Sequence, residues 1–185
     1  MPTAYLLLLG AVALERLVEL VVSTRHARWS FARGGTEHGR GHLPAMVALH
    51  SALLIGCAAE TVLAHRPFLA ALGWPALAAT LGSQGLRWWC VASLGPRWNT
   101  RVIVVPGLPL VTTGPYRRFR HPNYVAVVVE GIALPLVHTA WVSALAFTLL
   151  NALLLVRFRI PAEERALGLA VLADASGAAG APEPA

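Results

Sequence analysis

Residues 114–124 read Gly114-Pro115-Tyr116-Arg117-Arg118-Phe119-Arg120-His121-Pro122-Asn123-Tyr124 and lie between two long apolar blocks. His121 precedes a proline, which biases it away from the helical region. Pro122 suits the first position of a helix, where a missing N–H costs nothing. The spacing therefore predicts a helix that starts at Pro122, with the unpaired N–H groups of Asn123 and Tyr124 facing back toward the arginines. Such donors, the positive end of a helix dipole and neighbouring guanidinium groups make a site for an anionic group. The same residues also read as a basic membrane-flanking loop followed by a proline-started helix.

Working outward, the chain has 185 residues, of which 56% are hydrophobic. Its apolar runs are long enough to cross about 30 Å of hydrocarbon, so the composition predicts one integral membrane domain. The fold class expected is all-α and polytopic, with about five transmembrane helices. The net charge is +6 and every basic residue apart from histidine is arginine. Those arginines fall in the gaps between apolar runs, which is a membrane-orientation pattern and not a nucleic-acid footprint. Cys57 and Cys90 lie inside apolar runs without CxxC pairing and read as small packing residues. No basic residue precedes the opening apolar stretch, so it reads as a retained helix and not a cleaved signal.

The spans expected are 3–22, 44–64 and 68–94, then 122–157 divided near Val137-His138-Thr139, with Pro135 helping to end the fourth. Glu15 and Glu19 are four apart and share a helix face; the interfacial end of the helix accommodates them, a role in a polar site being the alternative. Ala78 and Gly82 form a small-xxx-small pair that permits close helix approach. Trp88 and Trp89, following Gln84 and Arg87, suit an interfacial aromatic belt. Glu130 sits mid-span, either a functional carboxyl or a neutral, hydrogen-bonded structural one.

Loop 23–43 is polar and glycine-rich and carries Arg25, Arg28, Arg33 and Arg40. His38 and His42 have a metal-like spacing, but the glycines around them disfavour a rigid pair and a zinc site needs three or four ligands. No metal is expected. The connection 95–121 is too long for an idle turn and is expected to fold as a lid or pocket wall. Pro161 is expected to end the last span and begin a short helix with Glu163 and Glu164 in its first turn. The tail 168–185 is rich in Ala, Gly and Pro and is expected to fray.

With five spans, loop 23–43, connection 95–121 and the tail share one side and hold almost all the arginines outside the spans. The arginine bias puts that side in the cytoplasm, with the N-terminus outside and the C-terminus inside. The polar segments then meet at one end of the bundle: Tyr116, Arg120, His121 and Tyr124 from one, Arg159, Glu163 and Glu164 from the other. Taken singly, Arg157 and Arg159 read as membrane anchors and the two acids as favourable first-turn residues. Together the groups form a bipolar pocket for a zwitterion, carboxylate on the helix start and ammonium on a glutamate.

The run Gly114-Pro115-Tyr116, then Arg120-His121-Pro122-Asn123-Tyr124, followed by Arg159 and Glu163-Glu164, resembles the isoprenylcysteine carboxyl methyltransferase family. Motif order and spacing both match over about 94–167. The segment from Ser93-Leu94-Gly95-Pro96-Arg97-Trp98 to Pro106-Gly107 resembles its bacterial branch, while the first half matches only as membrane helices. The resemblance implies a single methyltransferase domain over 1–167, with a membrane-embedded S-adenosylmethionine pocket in its 94–167 core. No GxGxxG occurs, in keeping with a cofactor held by a helical bundle. Cofactor contacts implied by the motif are the backbone from Leu108 to Val111, then Tyr116, His121, Pro122, Asn123 and Tyr124, with Glu163 on the amino end. Arg159 would sit near the acceptor oxygen as catalytic and substrate-binding residue. His121 is a candidate base, although cofactor shape is the other role the motif implies for it.

A cofactor inside the membrane implies a lipophilic acceptor that enters between helices. Relatives of the bacterial branch methylate hydroxyls on alkyl phenols or pyrones, so the resemblance implies O-methylation in the bacterial cytoplasmic membrane, with S-adenosylhomocysteine as product. Carboxyl methylation of an isoprenylcysteine-type acceptor is the alternative, followed by methylation of a phospholipid amine. A non-enzymatic scaffold or transporter remains a different class of reading; transporters are often built from internal repeats, and none is visible here. Nucleic acid is not an expected partner.

Overall fold

The structure is a computed structural model that describes residues 2–39 and 41–168. Arg40, the His42 side chain and the tail 169–185, which the sequence reading expected to fray, lie outside the described residues.

Five helices follow the five apolar runs. They are α1 (Pro2–Phe31), α2 (His42–Leu63), α3 (Ala70–Leu94), α4 (Pro122–Leu136) and α5 (Trp141–Leu154). α1 runs well past the predicted end at residue 22, because residues 23–31 contain neither Gly nor Pro to stop it. It closes where Gly34 adopts a φ of 76°, and the Gly35 N–H returns to the Ser30 carbonyl at 2.9 Å. A glycine in this conformation is a common way to satisfy the last carbonyls of a helix.

The all-α expectation needs one correction. The two polar loops pair as a short antiparallel ribbon of β1 (Thr36–His38) and β2 (Val102–Val104), with Glu37 opposite Ile103. Val102-Ile103-Val104 is β-branched, and pairing satisfies backbone groups that a free loop would leave to solvent. The connection 95–121 is therefore structured, as expected. It opens with a 3₁₀ turn over Gly95–Arg97 and ends with another over Gly114–Arg117. It is tied to α1 through Ser23, whose hydroxyl lies 2.7 Å from both Asn99 Oδ1 and Thr100 Oγ1.

Pro161 does not end the last helix. Helical backbone continues from Trp141 to Gly168, widening over Leu155–Arg159 into a π-turn in which the Ile160 N–H reaches the Leu155 carbonyl. A proline has no N–H for the carbonyl four residues back and crowds it sterically. The wider turn just before Pro161 accommodates both problems.

The core joins Tyr5, Leu9 and Val12 of α1 to Leu53 and Cys57 of α2, Ala76 of α3, Val127 and Leu134 of α4 and Phe147 of α5. The inward face of α3 is Gly73, Ala76, Thr80, Ser83, Arg87 and Cys90. Ala78 and Gly82 lie on the exposed side, and a Cβ on Gly82 would meet nothing within 4 Å. The close approach occurs instead at Gly131, where a Cβ would stand 2.1 Å from the Phe147 ring. At the turn end opposite the ribbon, the Glu60 carboxylate accepts the Val142 and Ser143 N–H groups at 3.2 and 2.8 Å and so caps α5.

α2 and the helix Trp141–Gly168 are each long and apolar enough to cross a bilayer, while α4 is apolar but shorter. All five helices expose large apolar side chains; Leu7 is 71% exposed, Leu63 78% and Leu149 62%. Apolar surface on this scale marks a membrane or partner interface, and on helices long enough to span a bilayer it marks the membrane. The chain is a helical membrane protein.

Candidate functional site

The stretch 114–124 is built onto the end of α3. Gly114 has a φ of 59° and passes so close to that helix that a Cβ would lie 2.1 Å from Ser93 Oγ and 3.1 Å from Trp89 Nε1. Pro115 is buried beneath the turn, and Tyr116 places its hydroxyl against Cys90. Burial pushes the Tyr116 phenol well above its ordinary value. His121 then takes a φ of −130° and a ψ of 60°, off the helical region as its proline demands, and α4 begins at Pro122.

One expectation about that helix start is corrected. The Tyr124 N–H is not available: it donates to the His121 carbonyl at 3.1 Å, closing a tight first turn. Of the two N–H groups, only that of Asn123 has no backbone partner among the described residues.

From the other side, the π-turn carries Arg159 into the bundle, where it is buried. Its Nε donates to the Tyr124 hydroxyl at 3.1 Å, and that hydroxyl donates in turn to Glu163 Oε2. His121 stacks on the Tyr124 ring at 5.4 Å between centroids. Its Nδ1 lies 3.5 Å from Glu163 Oε1 and its Nε2 lies 3.4 Å from Glu164 Oε1. The Glu163 carboxylate, with Glu164 beside it, raises the His121 pKa above its ordinary value against the opposing effect of burial.

The structure thus brings His121, Pro122, Asn123, Tyr124, Arg159, Glu163 and Glu164 to one place. Buried Asn123 Oδ1 has no hydrogen-bond partner there, and His121 Nδ1 has only its long approach to Glu163. Arg120 is exposed beside them. Leu108 and Val111 are half-buried in the irregular segment after β2. The Pro109 carbonyl between them accepts from Arg97 Nη1 at 2.5 Å, and no hydrogen bond joins 108–111 to the cluster among the described residues. His38 lies on β1 with its Nε2 3.1 Å from Thr36 Oγ1.

A second polar assembly lies deeper. Arg87 of α3 pairs with Glu130 of α4, and its Nε lies 3.5 Å from Glu19 Oε1 of α1. Arg16 bridges Glu19 at 2.8 Å, Glu15 at 3.4 Å and Glu130 at 3.8 Å, and it donates to Gln84 at 3.0 Å. Trp88 donates its indole N–H to Glu15, so it serves this network as well as the lipid boundary. Glu15 and Glu19 are therefore not at an interfacial end reaching for water. The intrahelical pair Arg16–Glu19 was legible from spacing; the partners on α3 and α4 were not. Asn151 is buried in α5, and its signal in the sequence is a lone carboxamide inside the apolar run 141–156.

A family model described as the isoprenylcysteine carboxyl methyltransferase (ICMT) family matches residues 76–169. The chain is also 35% identical over 162 residues to the uncharacterized protein YpbQ of Bacillus subtilis (strain 168), covering 87% of this chain and 95% of that one. No solved structure matches.

Proposed function

The chain belongs to the isoprenylcysteine carboxyl methyltransferase family, and on that premise we propose that it transfers a methyl group from S-adenosylmethionine to the oxygen of a lipophilic acceptor, an alkyl phenol or pyrone. The observation that carries this reading is the meeting of the α4 start with the end of the last helix, through Tyr124, Glu163, Arg159 and His121. The cluster holds both kinds of group that an amino-acid moiety requires, carboxylates and N–H donors, with the His121 ring facing both acids directly.

The residues suit the cofactor. Glu163 would hold its ammonium, and His121 with the Asn123 N–H would hold its carboxylate. The backbone of Leu108 to Val111, with Tyr116 and Pro122, would complete the walls. Buried Asn123 Oδ1 is the atom left wanting a polar partner. When bound, S-adenosylmethionine supplies a sulfonium methyl, and S-adenosylhomocysteine is the product.

The chain's own part is positioning and electrostatics. Tyr124 fixes Glu163 and Arg159 relative to one another through a single oxygen. The terminal nitrogens of Arg159 make no hydrogen bond among the described residues, and they are the groups that would orient an acceptor oxygen and stabilise its negative charge. Holding that oxygen in line is much of the catalysis. His121 suits the base role less well, because the Glu163 and Glu164 carboxylates raise its pKa and so favour its protonated form; cofactor binding is its better use. A phenol of pKa about 10 must still lose a proton. Carboxyl methylation of an isoprenylcysteine-type acceptor needs no such base, and the acid-paired histidine favours it as the second reading.

The proposal includes a single methyltransferase domain over 1–167 in a multi-pass arrangement, N-terminus outside and C-terminus in the cytoplasm. Purified protein in detergent is expected to bind S-adenosylhomocysteine, and Tyr124→Phe or Glu163→Ala is expected to weaken binding by about tenfold or more, the cost of a hydrogen bond to a charged group. Unaltered binding in both variants would overturn the site. Mass spectrometry of lipid extracts supplied with labelled methyl donor would rank the acceptors: label on a phenolic or pyrone lipid supports the proposal, and label only on a prenylcysteine reverses it.

A further inference from the structure

Two turns deeper than Arg159, the seam between α4 and α5 holds a notch of about 40 Å³ lined by Val128, Phe147, Thr148, Asn151 and Ala152. Asn151 is 2% exposed, and its Oδ1 has no hydrogen-bond partner. No hydrogen bond to either end of its carboxamide occurs among the described residues. The Thr148 hydroxyl has spent its proton on the Ala144 carbonyl at 2.7 Å, which leaves only its lone pairs toward the notch. A buried polar group without a partner costs about 1–3 kcal/mol, and polar residues within membrane helices are functional candidates by default.

The notch has room for one small group, since a cavity of about 10–15 Å³ already holds a water-sized occupant; its wall is almost wholly apolar, with Asn151 Oδ1 buried just behind it. It is too small for a ring. Val128 and Ala152 at its mouth are exposed toward lipid, while Phe147 behind it is buried. Asn151, Leu155 and Arg159 are all buried and follow one another at four-residue spacing. Helical side chains lean toward the N-terminal end, which from Arg159 is the direction of Asn151, and the Arg159 Nε is anchored on the Tyr124 hydroxyl. A ring lying along this seam would present one oxygen to Arg159 and another to Asn151.

We infer that Asn151 is a specificity-determining residue, which hydrogen-bonds an oxygen of the lipophilic acceptor other than the one that is methylated. The inference rests on the acceptor reading above and adds that the acceptor carries two oxygen functions, one seated in the notch with its ring outside against Val128 and Ala152. The carboxamide both accepts and donates, so a hydroxyl or a ring carbonyl fits.

The test compares two probes with the same tail, pentadecylresorcinol and meta-pentadecylphenol, on wild-type protein and on Asn151→Leu, which is near in volume and apolar. Wild type is expected to favour the resorcinol in kcat/KM by about tenfold, beyond the statistical factor of two equivalent hydroxyls. In Asn151→Leu the preference disappears, while S-adenosylhomocysteine binding is retained. A preference unchanged in the variant, absent in wild type, or a fall by the same factor for both lipids, would overturn the inference; the last is the mark of a structural carboxamide or one that holds only a water. Methylation of neither lipid by wild type would sink the acceptor reading instead. The notch is then judged by thermal shift: a larger stabilisation by the resorcinol, lost in Asn151→Leu, supports it, and equal shifts overturn it.

Discussion

Tyr124 shows how much one oxygen can organise. Its hydroxyl accepts from Arg159 and donates to Glu163, so a residue of the fourth helix sets the geometry of two residues of the last. His121 stacks on the same ring and faces both acids. Because its pKa is raised in the folded protein, its pairing with Glu163 contributes stability fully below the unfolded value of about 6.5 and loses that contribution as pH rises through the raised folded value. The difference in melting temperature between wild type and His121→Asn is expected to shrink on that rise. A difference that stayed flat across neutral pH would show that the proton on His121 does not matter to the cluster.

At the scale of elements, the buried charge network joins α1, α3 and α4 with three carboxylates against two guanidinium groups. Removing one partner of a buried pair strands the other charge at a cost of about 3–5 kcal/mol. Glu130→Gln, which takes from Arg87 the nearer of its two carboxylates, is expected to lower stability in detergent by that order. Glu19→Gln is expected to cost much less, because the carboxylates are in excess and Arg16 keeps Glu15 and Glu130 within reach. Equal losses in the two variants, measured by thermal unfolding, would refute this division of roles. The same scale explains what was legible in sequence. Pro122 announced its helix because proline chemistry is local. Pro161 misled for the same reason: its local rule is to break a helix, and only the π-turn before it, supported by packing of Arg159 against Tyr124, let the helix continue.

For the whole molecule, the apolar surface on every helix places the bundle in lipid, and the topology is open to direct test. Cys57 and Cys90 are both buried, so an introduced cysteine is the reactive thiol. Thr36→Cys is expected to react with an impermeant maleimide only after the cytoplasmic face is opened, and His65→Cys from outside intact cells. Labelling of both from the same face would overturn the five-span arrangement and with it the shared side for the two polar segments.

By itself the sequence determined the five apolar runs, the turn between α4 and α5, the helix start at Pro122 and the residue types needed for a bipolar site. These depend on hydropathy, on proline and on motif spacing, all of which act within a few positions of the chain. Tertiary structure decided which side chains meet: Tyr124 with Glu163 and Arg159, Arg87 with Glu19 and Glu130, and β1 with β2 across the two loops. Those partners are separated by 35 to 68 residues or pair through backbone alone. A buried charge or an unpaired strand states that it needs a partner, but only packing of the helices selects which one.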